Sequence, residues 1–114
     1  MAKSLFTKKF HFSASYEKNG KFYGHNYALT LAIDGIPSEE EEFRLVETVE
    51  RALIRKVHSH DFGLHVDFLK NVEITPENLL NAFWNKLEPL VRPYRLESIS
   101  LARDERTTFS RAKC

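Results

Sequence analysis

The sequence predicts an α+β domain spanning residues 1–114, with element order ββααββ: a four-stranded antiparallel sheet carrying two helices on one face. Three observations lead there. Two long N-terminal stretches alternate apolar and polar residues around the turn signal Asn19-Gly20. Two central segments place apolar residues at helical spacing behind capping residues, and alternation returns near the C-terminus. Helices that each bury one stripe on the same side of a sheet satisfy the layer rule for this order.

In the first strand Phe6, Phe10, Phe12, Ala14 and Tyr16 share one face, and His11, Ser13 and Ser15 share the other. The polar segment 17–21 turns the chain. Tyr23, His25, Tyr27, Leu29, Leu31 and Ile33 then share a face of the second strand, which ends at Asp34-Gly35-Ile36-Pro37. Ser38 with Glu41 forms a capping box, and acidic residues fill the first turn, where the helix dipole favours them. Phe43, Val46, Val49, Leu53 and Val57 are expected to face the sheet. A loop is expected over 58–73. Thr75 caps a second helix with Pro76 in its first turn, and its apolar stripe is Leu79, Leu80, Phe83, Trp84, Leu87 and Val91 before Pro93 stops it. Ile99 and Leu101 mark a third strand, residues 103–106 a tight connection, and residues 107–109 a fourth strand.

Composition limits the partners. The chain has 114 residues, 42% of them apolar, nine of them Phe, and a formal net charge of +1. Neither a nucleic-acid-binding field nor an acidic tail is present, so no nucleic acid is expected as partner. Cys114 is the single cysteine, which excludes an intrachain disulfide and a cysteine metal cluster and suits a reducing compartment. With no apolar run of membrane-spanning length and no secretory signal at Met1–Phe6, a cytoplasmic location and no membrane partner are expected.

The most informative stretch is Phe12-Ser13-Ala14-Ser15-Tyr16 followed by Tyr23-Gly24-His25-Asn26-Tyr27. It resembles the "FSASH…HGHNY" signature of the 6-pyruvoyl tetrahydropterin synthase family, which includes the bacterial 6-carboxytetrahydropterin synthases. Thr75-Pro76-Glu77-Asn78 at a helix start is similar to that family's "TTEN". The resemblance covers nearly the whole chain. It implies the tunnelling fold, in which four-stranded sheets join edge to edge into a barrel, as trimers or dimers of trimers with pterin pockets between subunits.

The family holds zinc with three histidines. The matching positions here are Tyr16, Tyr23 and His25, so the resemblance implies a degenerate metal site that retains His25 alone. Two ligands one residue apart on a strand share a face and a third arrives from the neighbouring strand, so the three side chains are expected to converge. A phenol with pKa about 10 is a poor zinc ligand near neutrality. The tyrosines either fill the metal's space and hydrogen-bond to His25 or a ligand, or take part in altered metal binding, for which hard ferric iron accepts phenolate.

The resemblance also assigns the remaining candidates. The family's base is a cysteine or, in some relatives, a glutamate between the two motifs; Glu17 is the carboxylate adjoining the first motif, and the bland alternative is a solvated loop residue. The family's Asp-His pair maps onto His58-Ser59-His60-Asp61 in either of two registers, with His60 the histidine in both and Asp61 its partner in one. The family's pterin-anchoring glutamate falls at Arg103, with Asp104 and Glu105 following; a β-bulge is needed to bring either into the site. Thr75, Glu77, Arg103 and Glu105 are the expected substrate contacts.

Three functions follow from the resemblance. One is a pterin-processing lyase acting on a dihydroneopterin triphosphate-like substrate with altered metal use. Another is a non-catalytic relative that keeps the barrel and a pocket. The third is a metal-free aldolase or epimerase on dihydroneopterin.

Overall fold

The computed structural model describes residues 3–113, apart from the side chain of Leu64; Met1, Ala2 and Cys114 lie outside the described residues. Strands β1 (Leu5–Lys18) and β2 (Lys21–Asp34) form one long antiparallel hairpin. Asn19 and Gly20 turn it with φ of 54° and 79°, the left-handed pair that matches the twist of flanking strands. The helical run that follows is α1 (Glu39–Val49), a π-helical turn (Glu50–Ile54) and α2 (Arg55–Val57). After it come β3 (His60–Asp61), the short α3 (Phe62–His65) and a 3₁₀ turn (Asp67–Leu69). The long helix α4 (Pro76–Leu90) leads to the hairpin of β4 (Arg95–Asp104) and β5 (Thr107–Ala112).

The sheet has five strands in the order β3-β1-β2-β4-β5. The four long strands are antiparallel as expected. The fifth, β3, is a correction: it pairs parallel to β1, Ala14 with His60 and Ser15 with Asp61, inside the segment expected to be a loop. Backbone pairing rather than apolar pattern makes this strand, so alternation could not show it. Ser59, at φ 62°, turns the chain into β3, and its N–H donates to the Ser13 carbonyl at 2.5 Å.

One apolar core lies between the sheet and the helices. Phe10, Phe12, Tyr27, Leu29, Leu31, Ile99 and Leu101 supply the sheet side. Leu45, Val49, Leu53, Ile54 and Val57 come from the first helical run, and Leu79, Leu80, Phe83, Trp84 and Leu87 from α4. Phe43 is a second correction: expected to face the sheet, it is 70% exposed. Leu45 takes the inward place instead. Leu45 lies one turn before Val49, whereas Phe43 is reached from Val49 by two three-residue steps that drift around the helix; past α1 the expected Leu53 and Val57 are buried, and the π-helical turn buries Ile54 beside Leu53.

The expected caps are present. Ser38 Oγ accepts from Glu41 N at 3.1 Å while Glu41 Oε1 accepts from Ser38 N at 3.0 Å. Thr75 Oγ1 accepts from Asn78 N at 3.2 Å. No helix among the described residues is long and apolar enough to cross a membrane.

Candidate functional site

The hairpin register brings the motif residues together. Tyr16 lies directly opposite Tyr23, Ala14 opposite His25, and Phe12 opposite Tyr27. Alternation puts all of these on the helix-covered face, at the end of the hairpin that the helices leave open. The Tyr16 and Tyr23 rings stack with centroids 5.3 Å apart and planes 19° apart. His25 lies 6.4 Å from the Tyr16 ring and meets Tyr27 edge-on at 5.6 Å. Tyr27 in turn stacks on Phe12 at 5.2 Å, so an aromatic ladder runs from the half-exposed hairpin tip into the core. Burial pushes the Tyr27 phenol far above its ordinary range, the Tyr16 phenol adds to that and Arg103 opposes it; Tyr27 is a neutral hydroxyl at any physiological pH.

The predicted convergence of Tyr16, Tyr23 and His25 is therefore observed, and it bears on the zinc that the resemblance implies. Zinc needs three unprotonated donors directed at one point. This set offers one imidazole and two phenols whose rings lie face to face. Among the described residues, no group of three or more His, Cys, Asp or Glu side chains is placed to hold a metal ion. The donor set does not fit zinc.

A small cavity of about 30 Å³ opens beside the ladder, lined by Tyr16, Tyr27, Thr75, Leu101, Arg103 and Phe109 among others. It joins two of the expected substrate contacts, Thr75 and Arg103. A bulge is present in β4: Ala102 pairs with Thr108 and Asp104 with Thr107, leaving Arg103 between them without a cross-strand partner. The bulge brings neither following carboxylate into this cavity. Asp104 instead accepts from Arg106 N at 2.8 Å, and that bond holds its carboxyl below the ordinary range. Glu105 is exposed at the turn, and Glu77 is exposed in the first turn of α4. Glu17 pairs with Phe22, on the face opposite Tyr16 and His25, and the same parity places His11 away from them.

A second, open cavity of about 370 Å³ lies at the β1 edge, lined by Ser13, Ser15, Gly24, His25, Asn26, Ser59 and His60. His25 and the exposed His60 thus border one groove. Asp61 is buried and accepts from Gly63 N at 2.9 Å. Two histidines without an assigned role in the motif, His58 and His65, anchor this corner. His58 Nδ1 accepts from Ser13 N at 3.0 Å, and His65 Nδ1 accepts from Asp61 N at 3.1 Å. Only the pairing of β3 with β1 reveals these roles. Tyr27 and Phe109 were legible as strand residues, but not as cavity walls.

No family profile matches the chain, and no curated protein matches it in sequence. Solved structures do. The chain resembles 6-pyruvoyl tetrahydropterin synthase from Caenorhabditis elegans at 15% identity and TM-score 0.80, covering 100% of this chain and 98% of that one. An uncharacterized protein from Wolinella succinogenes matches at 10% identity and TM-score 0.75, covering 100% of both chains. The 6-pyruvoyl tetrahydropterin synthase of Plasmodium falciparum matches at 14% identity and TM-score 0.68, covering 99% of both. At such identities the likeness speaks for architecture alone: the chain has the fold of the 6-pyruvoyl tetrahydropterin synthases.

Proposed function

We propose that the chain is a 6-pyruvoyl tetrahydropterin synthase-like protein that binds a pterin-type ligand at the interface between its own copies and does not run a zinc-dependent lyase reaction. The observation that carries this reading is the stacked Tyr16–Tyr23 pair standing where two metal ligands are expected, continuous through Tyr16 with the cavity at Thr75 and Arg103. Stacked phenols supply a flat apolar platform for a planar ring and poor donors for zinc. Assembly is supported by the sheet itself: among the described residues β5 has an open edge, and β1 pairs with a strand on its outer side only through β3 at Ala14 and Ser15, with Ser13 bonded to His58 and Ser59 beside it. Open edges of that length are templates for strand addition, so a trimer or dimer of trimers closing a barrel is the expected state.

The test has two parts. Titration with a fluorescent pterin, followed for the wild type and Tyr16→Ala, is expected to show saturable binding that the substitution weakens. Elemental analysis of unchelated protein is expected to show no stoichiometric zinc, with His25→Ala as control. Absent pterin binding refutes the ligand class; stoichiometric zinc that is lost in His25→Ala restores the lyase reading.

A second reading, a metal-free acid–base step on a dihydroneopterin-like substrate, is favoured by one observation: His25 and His60 border the same 370 Å³ groove. A glutamate designated catalytic has been replaced in a solved Plasmodium vivax 6-pyruvoyltetrahydropterin synthase, which matches this chain at TM-score 0.60 and 11% identity. Glu17 faces away from His25 within one chain, so it serves such a step only if a neighbouring copy presents the remainder of the site. Loss of turnover in His60→Gln with pterin affinity retained is the signature of this reading.

A further inference from the structure

Arg103 stands at a bulge, and bulges redirect side chains. Its guanidinium lies over the Phe109 ring, 5.4 Å from the centroid, which orients it along the wall of the 30 Å³ cavity. Among the described residues, no carboxylate side chain lines that cavity. The neighbouring Asp104 reaches Arg103 Nε only at 3.9 Å, with half its side chain exposed, and is engaged by the β-turn. A single exposed contact of that length neutralises little. The other lining residues with polar side chains are Tyr16, Tyr27 and Thr75, and the Tyr27 phenol is held in its protonated form, able to donate. The lining is therefore one guanidinium and several hydroxyls, a set that favours an anion.

The cavity's size narrows the class further. About 30 Å³ admits one or two waters or a carboxylate group, and it excludes a fused bicyclic ring. A ring attached to that carboxylate must lie outside, and Tyr16 is both a wall of the cavity and a member of the Tyr16–Tyr23 stack. We propose that Arg103 is a specificity-determining residue that selects planar heteroaromatic carboxylates, taking the carboxylate into this cavity while the ring stacks on an outer face of the Tyr16–Tyr23 pair. This rests on the ligand-binding reading above and adds the charge of the ligand. A ring presenting an uncharged or protonated amidine-like edge is disfavoured at the same place, because the guanidinium repels it or leaves it without an acceptor.

The test is a calorimetric titration of the full oligomeric protein with three probes: pterin-6-carboxylate, unsubstituted pterin and benzoate. It is run on the wild type and on Arg103→Gln, Arg103→Lys and Arg103→Glu, each checked for native circular dichroism and assembly. Loss of a charged hydrogen-bond partner changes affinity by about 10- to 100-fold. Pterin-6-carboxylate is expected to bind the wild type at least that much more tightly than pterin, to lose the advantage in Arg103→Gln and to recover part of it in Arg103→Lys. Arg103→Glu is expected to reverse the preference toward pterin. Equal binding of both pterins, unchanged in Arg103→Gln, overturns the selection while leaving the pterin-binding reading intact. Binding of benzoate that depends on Arg103, with neither pterin bound, upholds the carboxylate site and refutes the pterin reading. No binding of any probe overturns the proposal.

Discussion

Tyr16 and Tyr23 face each other across the β1–β2 hairpin as a directly opposed pair, their rings stacked at 5.3 Å with planes 19° apart. Directly opposed cross-strand residues hold their Cβ atoms roughly 5 Å apart, and aromatic pairs at such positions contribute up to about 1 kcal/mol. The pair sits where the motif resemblance implies two histidines, and both positions share one face of adjacent strands with His25.

That shared face can be tested for metal geometry. The double substitution Tyr16→His and Tyr23→His is expected to create a zinc site with His25, since the three positions share one face and adjacent strands. Zinc content per chain after metal loading and desalting checks it. The double variant should approach stoichiometric zinc, and either single variant should fall well short.

His58 fastens the β3 corner by accepting from Ser13 N. His58→Ala leaves that N–H to solvent and is expected to cost about 0.5–1.5 kcal/mol in urea unfolding. His58→Asn, which retains an acceptor, should lose less.

Glu41 closes the capping box, and its carboxyl is held below the ordinary glutamate value of 4.5, first by the Ser38 backbone N–H and then by the Tyr94 and Ser38 hydroxyls. A depressed folded-state value means stabilisation that is complete above 4.5 and is lost as pH falls through the lowered value. Glu41→Gln is therefore expected to be less stable than wild type at neutral pH, with the difference narrowing at pH values below 4.5. Urea midpoints of both proteins across that range test the sign. Ser38→Ala should cost about 1 kcal/mol near neutrality.

Phe83 is fully buried and meets Phe12, Phe62 and Phe68 at centroid distances of 6.0, 6.3 and 6.0 Å. Phe83→Ala removes the ring that joins α4 to the sheet and to the segment after β3. The expected loss is about 3–5 kcal/mol. Chemical denaturation measures it, and Phe83→Leu should retain much of the difference.

What was legible in the residues followed from local physics. Alternation located β1 and β2 to within two residues of Phe6–Tyr16 and Tyr23–Ile33, and Ser38, Thr75 and Pro93 punctuated the helices. Parity alone put Tyr16, Tyr23 and His25 on one face, and they are found together there. What escaped had separate causes. Phe43 was misplaced because two successive three-residue steps, from Val49 to Val46 to Phe43, drift around the helix, whereas Leu45 lies one turn before Val49. β3 was unreadable because two residues joined by backbone bonds to a distant strand have no pattern. The tip of β4 extends to Asp104, rather than turning from Arg103, because the bulge absorbs a residue whose sequence looks like any charged connection.

The two-residue strand β3 acts as an end stop. Ser13 directs both its backbone N–H and its carbonyl away from β2, to His58 and Ser59. Alternation then directs those of His11, Lys9 and Thr7 the same way, toward a side with no strand beside it in the sheet. A strand from another copy sliding along this side toward the tyrosines is halted where Ser59 and His60 already occupy the bonds. Under the assembly proposed above, docking along β1 consequently has one furthest position, and the fold carries its own alignment mark: an added strand cannot pass it toward the aromatic ladder.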